Sequence, residues 1–179
     1  MPENLAIDLD GCLIKPEKAV KLLGVTLDRF LTFSPHISNV VEKCHRLLGA
    51  LAKAAPGLPS NLLRMAYVAL VRSHLEYASC VWASAATTHL DKLDIVQKIA
   101  SRIITHSPSR AHSAPLLKQL NIDTLGCRRE KRIVKVINNM IQGVCHPTFK
   151  DMFQLVGEGV VEVDAEEGRI SVGKNLRTV

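Results

Sequence analysis

From Pro35 to about Gln142, apolar residues return every three or four positions, and that period commits most of the chain to amphipathic helices. Ile37, Val40, Val41, Cys44, Leu47, Leu48 and Leu51 form the first stripe, with Lys43, Arg46 and Lys53 on the other side. Ser34-Pro35 predicts its start, a serine N-cap followed by proline at the first helical position. Pro56-Gly57-Leu58-Pro59 ends it. A second helix is expected from about Ser60 through Leu63, Tyr67, Leu70, His74 and Tyr77 toward Trp82. A third begins at Thr87-Thr88 and should bury Leu90, Leu93, Val96, Ala100 and Ile103 or Ile104. Ser107-Pro108-Ser109-Arg110 reads as a loop. A short helix over Ala114 to Leu120 and a longer one from about Asp123 to Gln142 complete a bundle of about five. Gly143 is placed to end the last.

The flanks read as β structure. Leu5-Ala6-Ile7-Asp8-Leu9 and Cys12-Leu13-Ile14 flank Asp10-Gly11, a favoured pair for a tight hairpin turn. Lys15-Pro16 ends the second strand, and Ala19 to Leu27 reads as one further buried strand that turns into the first helix. Near the other end, Val161-Glu162-Val163-Asp164 and Ile170-Ser171-Val172 lie on either side of Gly168 and suggest a weak hairpin. The expected fold is therefore mainly α: a short N-terminal β hairpin plus a strand, a bundle of about five helices, and a weak C-terminal hairpin. Its expected divisions are a β element over 1–33, a helical domain over 34–146 and a tail over 147–179.

Hydrophobic residues make up 47% of the 179 but aromatics only 4%, so the core must be built from Leu, Ile, Val and Ala. No apolar run approaches the roughly 18 residues of a membrane span. Met-Pro-Glu-Asn lacks the basic start and apolar stretch of a signal peptide. Cys12, Cys44, Cys80, Cys127 and Cys145 are odd in number and scattered, which favours reduced thiols and an intracellular location, nucleus or cytoplasm undivided. No Cys-x-x-Cys or His-x-x-x-His pair exists, and Cys145-His146 stands alone, so no metal or other cofactor is expected in this chain. A net charge of +6 permits nucleic-acid binding. Basic residues cluster from Arg128 to Lys135, whereas Glu158, Glu162, Asp164, Glu166 and Glu167 make the tail acidic.

Ile7-Asp8-Leu9-Asp10-Gly11-Cys12-Leu13 resembles the first motif of haloacid-dehalogenase-type phosphatases, in which the first Asp is a nucleophile and the second an acid/base. That chemistry also needs Mg²⁺, a downstream acidic pair and a lysine around a parallel sheet. Here a strand follows at once and no Gly-Asp-x-x-x-Asp-like element comes later, so a plain hairpin is the preferred reading. No Ser-His-Asp or Cys-His arrangement has support from sequence order. Tyr77 and Trp82 read as packing residues rather than base-stacking platforms, and His74 as structural.

Arg128, Arg132 and Lys135 fall on one face of the last long helix, away from Ile133, Val136, Ile137 and Met140. With Arg129 and Lys131 they are the candidate nucleic-acid contacts, a stripe that could follow a phosphate backbone. A solvated helix face is the equal alternative. The missing aromatic interleaving argues against a dedicated single-strand binder. Gly126 is a weak spot, since glycine costs roughly 1 kcal/mol against alanine within a helix.

Val20-Lys21-Leu22-Leu23-Gly24-Val25-Thr26-Leu27-Asp28, followed by Leu31-Thr32-Phe33 and His36-Ile37, resembles the end of the palm in reverse transcriptases of non-LTR, LINE-like retrotransposons. There a Leu-Gly strand forms the primer grip and opens into the thumb. Val71-Arg72-Ser73-His74-Leu75-Glu76-Tyr77-Ala78 with Trp82 resembles the second thumb helix of jockey-like members. Leu90-Asp91-Lys92-Leu93, Val96-Gln97-Lys98-Ile99-Ala100, Arg102-Ile103-Ile104, Leu116-Leu117, Leu125 and Arg128-Arg129 continue the likeness, which spans about Val20 to His146. The resemblance implies the C-terminal primer-grip and thumb region of an RNA-directed DNA polymerase, gripping a template–primer duplex, with Leu23, Gly24 and Val25 shaping the grip. Its partners would be that duplex and the absent fingers and palm. It does not imply catalysis, because no Tyr-x-Asp-Asp sequence occurs in the chain and Mg²⁺ belongs to the palm of the parent enzyme. The chain is thus expected to be inactive alone, and to self-associate through exposed apolar surface and an unpaired strand edge. The alternative is an exapted helical module that binds nucleic acid or protein; a phosphatase is a distant third.

Overall fold

The structure is a computed structural model that describes residues 7–10, 12–146, 162–164 and 169–171. Leu5, Ala6, Gly11, Val161, Gly168, Val172 and the acidic Glu158, Glu166 and Glu167 lie outside the described residues. The chain is mainly helical behind short hairpins, as the periodicity predicts.

Strands β1 (Ile7–Leu9) and β2 (Cys12–Ile14) pair antiparallel, with Asp8 opposite Leu13 and Asp10 at φ 51° in the turn. The next segment departs from expectation. Instead of one strand from Ala19 to Leu27 it is a second hairpin, β3 (Ala19–Leu22) and β4 (Val25–Asp28), with Leu22 opposite Val25. The chain reverses at Leu23-Gly24, whose φ values of 46° and 85° are both positive, as a two-residue hairpin turn requires. The segment is also less buried than expected: all of β3 is exposed, and in β4 Val25 is buried in the core while Leu27 packs partly buried against it.

Helix α1 spans Ser34–Ala54. Ser34 is its first residue rather than its cap, because Ile37 N–H donates to the Phe33 carbonyl and makes Phe33 the N-cap. The capping oxygens come from the end of β4. Asp28 accepts Thr32 N–H at 3.1 Å, the Thr32 hydroxyl at 2.9 Å and Phe33 N–H at 2.7 Å. The Thr32 hydroxyl oxygen in turn accepts Ser34 N–H at 3.3 Å.

The expected second helix is interrupted twice. It runs as α2 (Ser60–Ala66), a π-helical segment (Tyr67–Arg72) and α3 (Ser73–Glu76), breaks at Tyr77-Ala78, and resumes as α4 (Ser79–Trp82). The wider π turn resets the inward face to Tyr67, Val71 and Leu75 and leaves Leu70 exposed. Cys44 Sγ donates to the Val71 carbonyl at 3.8 Å, and burial pushes this thiol up to about 11. Burial likewise pushes the Tyr67 phenol up to about 12. At the break, Trp82 Nε1–H donates to the Tyr77 carbonyl at 2.9 Å. Trp82 is buried beside the His36 ring, a packing residue as expected.

Helix α5 (Thr87–Ile104) buries Leu93, Val96, Ala100 and Ile104 in the predicted register. The loop through Ser107–Arg110 leads to α6 (Ser113–Gln119) and α7 (Leu125–Ile141). Thr124 caps α7 by accepting Cys127 N–H. Gly143, at φ 71°, ends it through bonds from Gly143 N–H to Met140 O and from Val144 N–H to Asn139 O. Strands β5 (Glu162–Asp164) and β6 (Arg169–Ser171) form the C-terminal hairpin.

One core joins Ile37, Leu48, Leu63, Tyr67, Leu75, Trp82, Leu93 and Ile104 with Val25 and Phe33, so the β3–β4 hairpin rests on the helices. Gln97, buried within α5, donates to the Asp123 carbonyl and accepts Leu125 N–H, satisfying one orphan donor of α7. No described helix is long and apolar enough to cross a membrane.

Candidate nucleic-acid interface

The first part of the site is the turn of the β3–β4 hairpin. Leu23 projects outward, 83% exposed, whereas Val25, two residues on, anchors the hairpin in the core. The Tyr77 hydroxyl donates to the Leu23 carbonyl at 2.8 Å. Gly24 lies against the same ring, since a Cβ there would sit 3.3 Å from Tyr77 Cε1. The three residues expected to shape a grip are thus one exposed tip, one close approach and one anchor. Leu22 is exposed beside the turn, and Val20, Phe30 and Leu31 are exposed toward the open end of the hairpin, where Arg29 N–H donates to the Lys18 carbonyl.

The second part is the basic face of α7, and the structure divides its five cations. Arg128 and Arg132 turn inward onto Glu76, at the end of α3. Arg128 Nε and Nη2 donate to the two Glu76 carboxylate oxygens, Nη2 at 3.0 Å. Arg132 Nη1 donates to the Glu76 carbonyl at 2.6 Å, and its Nη2 lies 3.5 Å from Oε2. Arg72, one turn before Glu76, adds a contact at 3.6 Å. Three guanidinium groups therefore surround one carboxylate whose side chain is 12% exposed. Hydrogen bonding to Glu76 raises the Arg128 pKa against the opposing effect of burial.

The other three cations stand differently. Arg129 has Nη1 buried without a hydrogen-bond partner among the described residues. Arg129 acts on the Asp94 carboxyl, which burial pushes up while Arg129 and Lys98 pull it down. Lys131 reaches Asp123 at 3.3 Å in an exposed pair. Lys135 is exposed and makes no ion pair among the described residues. Gly126 falls in the first turn of α7, where its missing side chain weakens the helix least.

Sequence reasoning missed Glu76 as the organising group. Its signal was a lone carboxylate inside an apolar helical stretch, four residues after Arg72, with a doubly basic helix later in the chain. It also missed Asp28 as the cap of α1. Among the described residues, no group of three or more His, Cys, Asp and Glu side chains is placed to hold a metal ion.

No family model matches the chain, and no solved structure matches it. It is 28% identical over 127 residues to the probable RNA-directed DNA polymerase from transposon BS of Drosophila melanogaster, covering 69% of this chain and 14% of that protein. It is 32% identical over 127 residues to the RNA-directed DNA polymerase from mobile element jockey of Drosophila melanogaster, covering 67% and 13%. The probable polymerase from transposon X-element of that fly is 29% identical over 114 residues, covering 60% and 12%. The match spans no more than 14% of the length of these relatives. Over about two thirds of its length, the chain is similar to one region of the RNA-directed DNA polymerases of jockey-like, non-LTR retrotransposons.

Proposed function

We propose that this chain is the primer-grip and thumb region of such a polymerase and that it holds a template–primer duplex. Nucleotidyl transfer would then depend on aspartate-bound Mg²⁺ in a palm, and no Tyr-x-Asp-Asp sequence occurs in these 179 residues. One observation carries the reading: the Leu23-Gly24 turn is tied to the helical bundle through Tyr77, 54 positions away. A turn that positions a primer must be held by rigid neighbours, and this one is. Lys131, Lys135, Arg129 and the outer edge of Arg132 are the phosphate contacts of the reading, and Arg128 orients the helix that carries them. The exposed apolar residues Val20, Leu22, Leu23, Phe30 and Leu31, spread from the turn to the open end of the hairpin, are the surface that a palm would cover, and a chain that leaves them uncovered self-associates. The protein works inside the cell.

Fluorescence anisotropy of a labelled RNA–DNA hybrid tests the binding half. Affinity should fall steeply with salt, as phosphate contacts require. Absence of binding at low salt would overturn it. Mg²⁺-dependent primer extension by the purified chain would overturn the reliance on a separate palm.

A further inference from the structure

The β3–β4 hairpin is held to the helices by few contacts. Val25 is buried in the core and Leu27 packs partly buried against it. Besides the Asp28 bonds at the start of α1, two hydrogen bonds join the hairpin to the helices among the described residues. The bond from the Tyr77 hydroxyl to the Leu23 carbonyl is exposed. The other lies further in, where Thr26 N–H donates to His36 Nδ1 at 3.3 Å. A two-stranded hairpin alone is at best marginally stable, so its seating depends on these ties.

His36 makes its tie conditional on charge. A backbone N–H only donates, so Nδ1 must be unprotonated and the neutral ring carries its proton on Nε2. The residue is 5% exposed, with its ring 6.2 Å from that of Trp82. A second proton would set Nδ1–H against Thr26 N–H, two donors without an acceptor, and bury a cation. Nothing around the ring favours that cation. His36 is the third residue of α1, at the positive end of the helix dipole. Lys21 from the hairpin, Lys43 from α1, and His74 and Tyr77 from α3 and its end line the same cleft, and no carboxylate does. Asp28 is engaged with Thr32 and Phe33, and Glu76 with the arginines of α7. Burial first, then Lys21, accordingly lowers the His36 pKa.

We propose that His36 is a proton-operated latch: the neutral ring seats the Leu23-Gly24 turn on the helical bundle, and the charged ring releases the hairpin while the helices stay folded. Release gives the ring water and takes Lys21 away, which returns it toward an ordinary histidine pKa of about 6.5. The released form therefore binds the proton more readily. The ratio of seated to released hairpin falls by up to tenfold per pH unit below that value, until the seated ring itself takes the proton. The helices persist because Ile37, Leu63, Tyr67, Leu75, Leu93 and Ile104 pack together without a residue from the hairpin. The latch does not depend on the duplex-holding reading.

The test is an NMR titration of the full chain from neutral into mildly acidic solution, following backbone amides and histidine rings. The amides of Leu22, Gly24 and Thr26 should move to unfolded positions together with protonation of His36, at a midpoint below about pH 6.5. Those of Val96 and Ala100 should stay in place. Emission from Trp82, the single tryptophan, should follow the same midpoint, because its ring neighbours His36. His36→Asn supplies an acceptor that does not titrate, so its hairpin should stay seated in acid. His74→Gln should leave the transition as in wild type. Loss of the Val96 and Ala100 resonances at that midpoint would make the event global unfolding and overturn the latch. So would a charged His36 with the Thr26 amide still in its folded position, the same hairpin transition in His36→Asn, or its abolition in His74→Gln. The wild-type titration decides alone if His36→Asn does not fold.

Discussion

The Tyr77 hydroxyl donates to the carbonyl of Leu23 at 2.8 Å, and the same ring closes over Gly24. This contact fixes a turn that local chemistry would not choose, because Leu23 sits at φ 46° with a branched side chain. Gly24→Ala meets two obstacles: a backbone at φ 85° that alanine rarely adopts, and a Cβ pressed to 3.3 Å from Tyr77 Cε1. The expected cost is about 1–3 kcal/mol in urea denaturation. Tyr77→Phe removes only the exposed hydrogen bond and should cost about 0.5 kcal/mol. A neutral Gly24→Ala would show that the turn is not constrained as described.

The helical stripes were legible because burial enforces them: Leu93, Val96, Ala100 and Ile104 could be placed inward from spacing alone. The Leu23-Gly24 turn was not, because apolar residues continue through it and only Gly24 hints at a reversal. Its cause is Tyr77, too far along the chain for any local pattern to report. The π-helical segment was hidden for a related reason. Its extra residue per turn exchanges Leu70 for Val71 on the inner face, and both are aliphatic. In the candidate site, the pattern showed which helix face was basic. It could not show that Glu76 would draw two of those cations inward.

Glu76 accepts from Arg128 and Arg132 while Arg72 lies alongside, so removing its charge strands three guanidinium groups against one another. Glu76→Gln should destabilise the protein by about 2–4 kcal/mol. This is below the extreme for a fully buried pair, because Arg132 remains 44% exposed and screened by solvent. Arg128→Lys should recover little, since lysine cannot reproduce the two-pronged contact. The check is thermal or urea unfolding of both variants, and full stability in Glu76→Gln would contradict the arrangement.

His36 and Asp28 both contribute to the acid limb of stability. His36 takes a proton less readily when folded, through burial first and then Lys21. The unfolded chain therefore binds more protons below about pH 6.5, and stability declines from there until the pH passes the lower folded value. Asp28 acts at lower pH. Partial desolvation raises its pKa, but bonds from Thr32 N–H, the Thr32 hydroxyl and Phe33 N–H together outweigh this and hold it below the usual range. Its contribution is complete above about pH 3.9 and is lost as the pH falls through the folded value. Asp28→Asn should lower the urea midpoint at pH 7, with the gap to wild type closing in strong acid. A gap that is the same at every pH would remove Asp28 as the titrating cap.

Gly49 lies exposed inside α1, and a Cβ there would have nothing within 4 Å. Gly49→Ala should therefore stabilise the protein by about 1 kcal/mol, raising its melting temperature by a few degrees. Gly126→Ala, in the first turn of α7 and 3.9 Å from Arg129 Nη2, should gain less. Equal gains at the two positions would argue against a first-turn placement for Gly126.

The division of the α7 cations gives the most direct test of duplex binding, because stability and affinity should separate by residue. Lys135 is exposed and Lys131 holds only the exposed Asp123, so both can meet a phosphate at little cost. Each should behave as a counterion-releasing contact: Lys131→Ala or Lys135→Ala weakens hybrid binding and reduces the salt slope by about 1, without moving the urea midpoint. Arg128 is committed to Glu76 and should do the opposite, with Arg128→Ala lowering the stability by about 2 kcal/mol, and the urea midpoint with it, while leaving the salt slope of the folded fraction unchanged. Anisotropy titrations at several salt concentrations, paired with unfolding curves, separate the two classes. If Arg128→Ala alters the slope while the two lysine variants do not, the duplex contacts lie elsewhere than on this face.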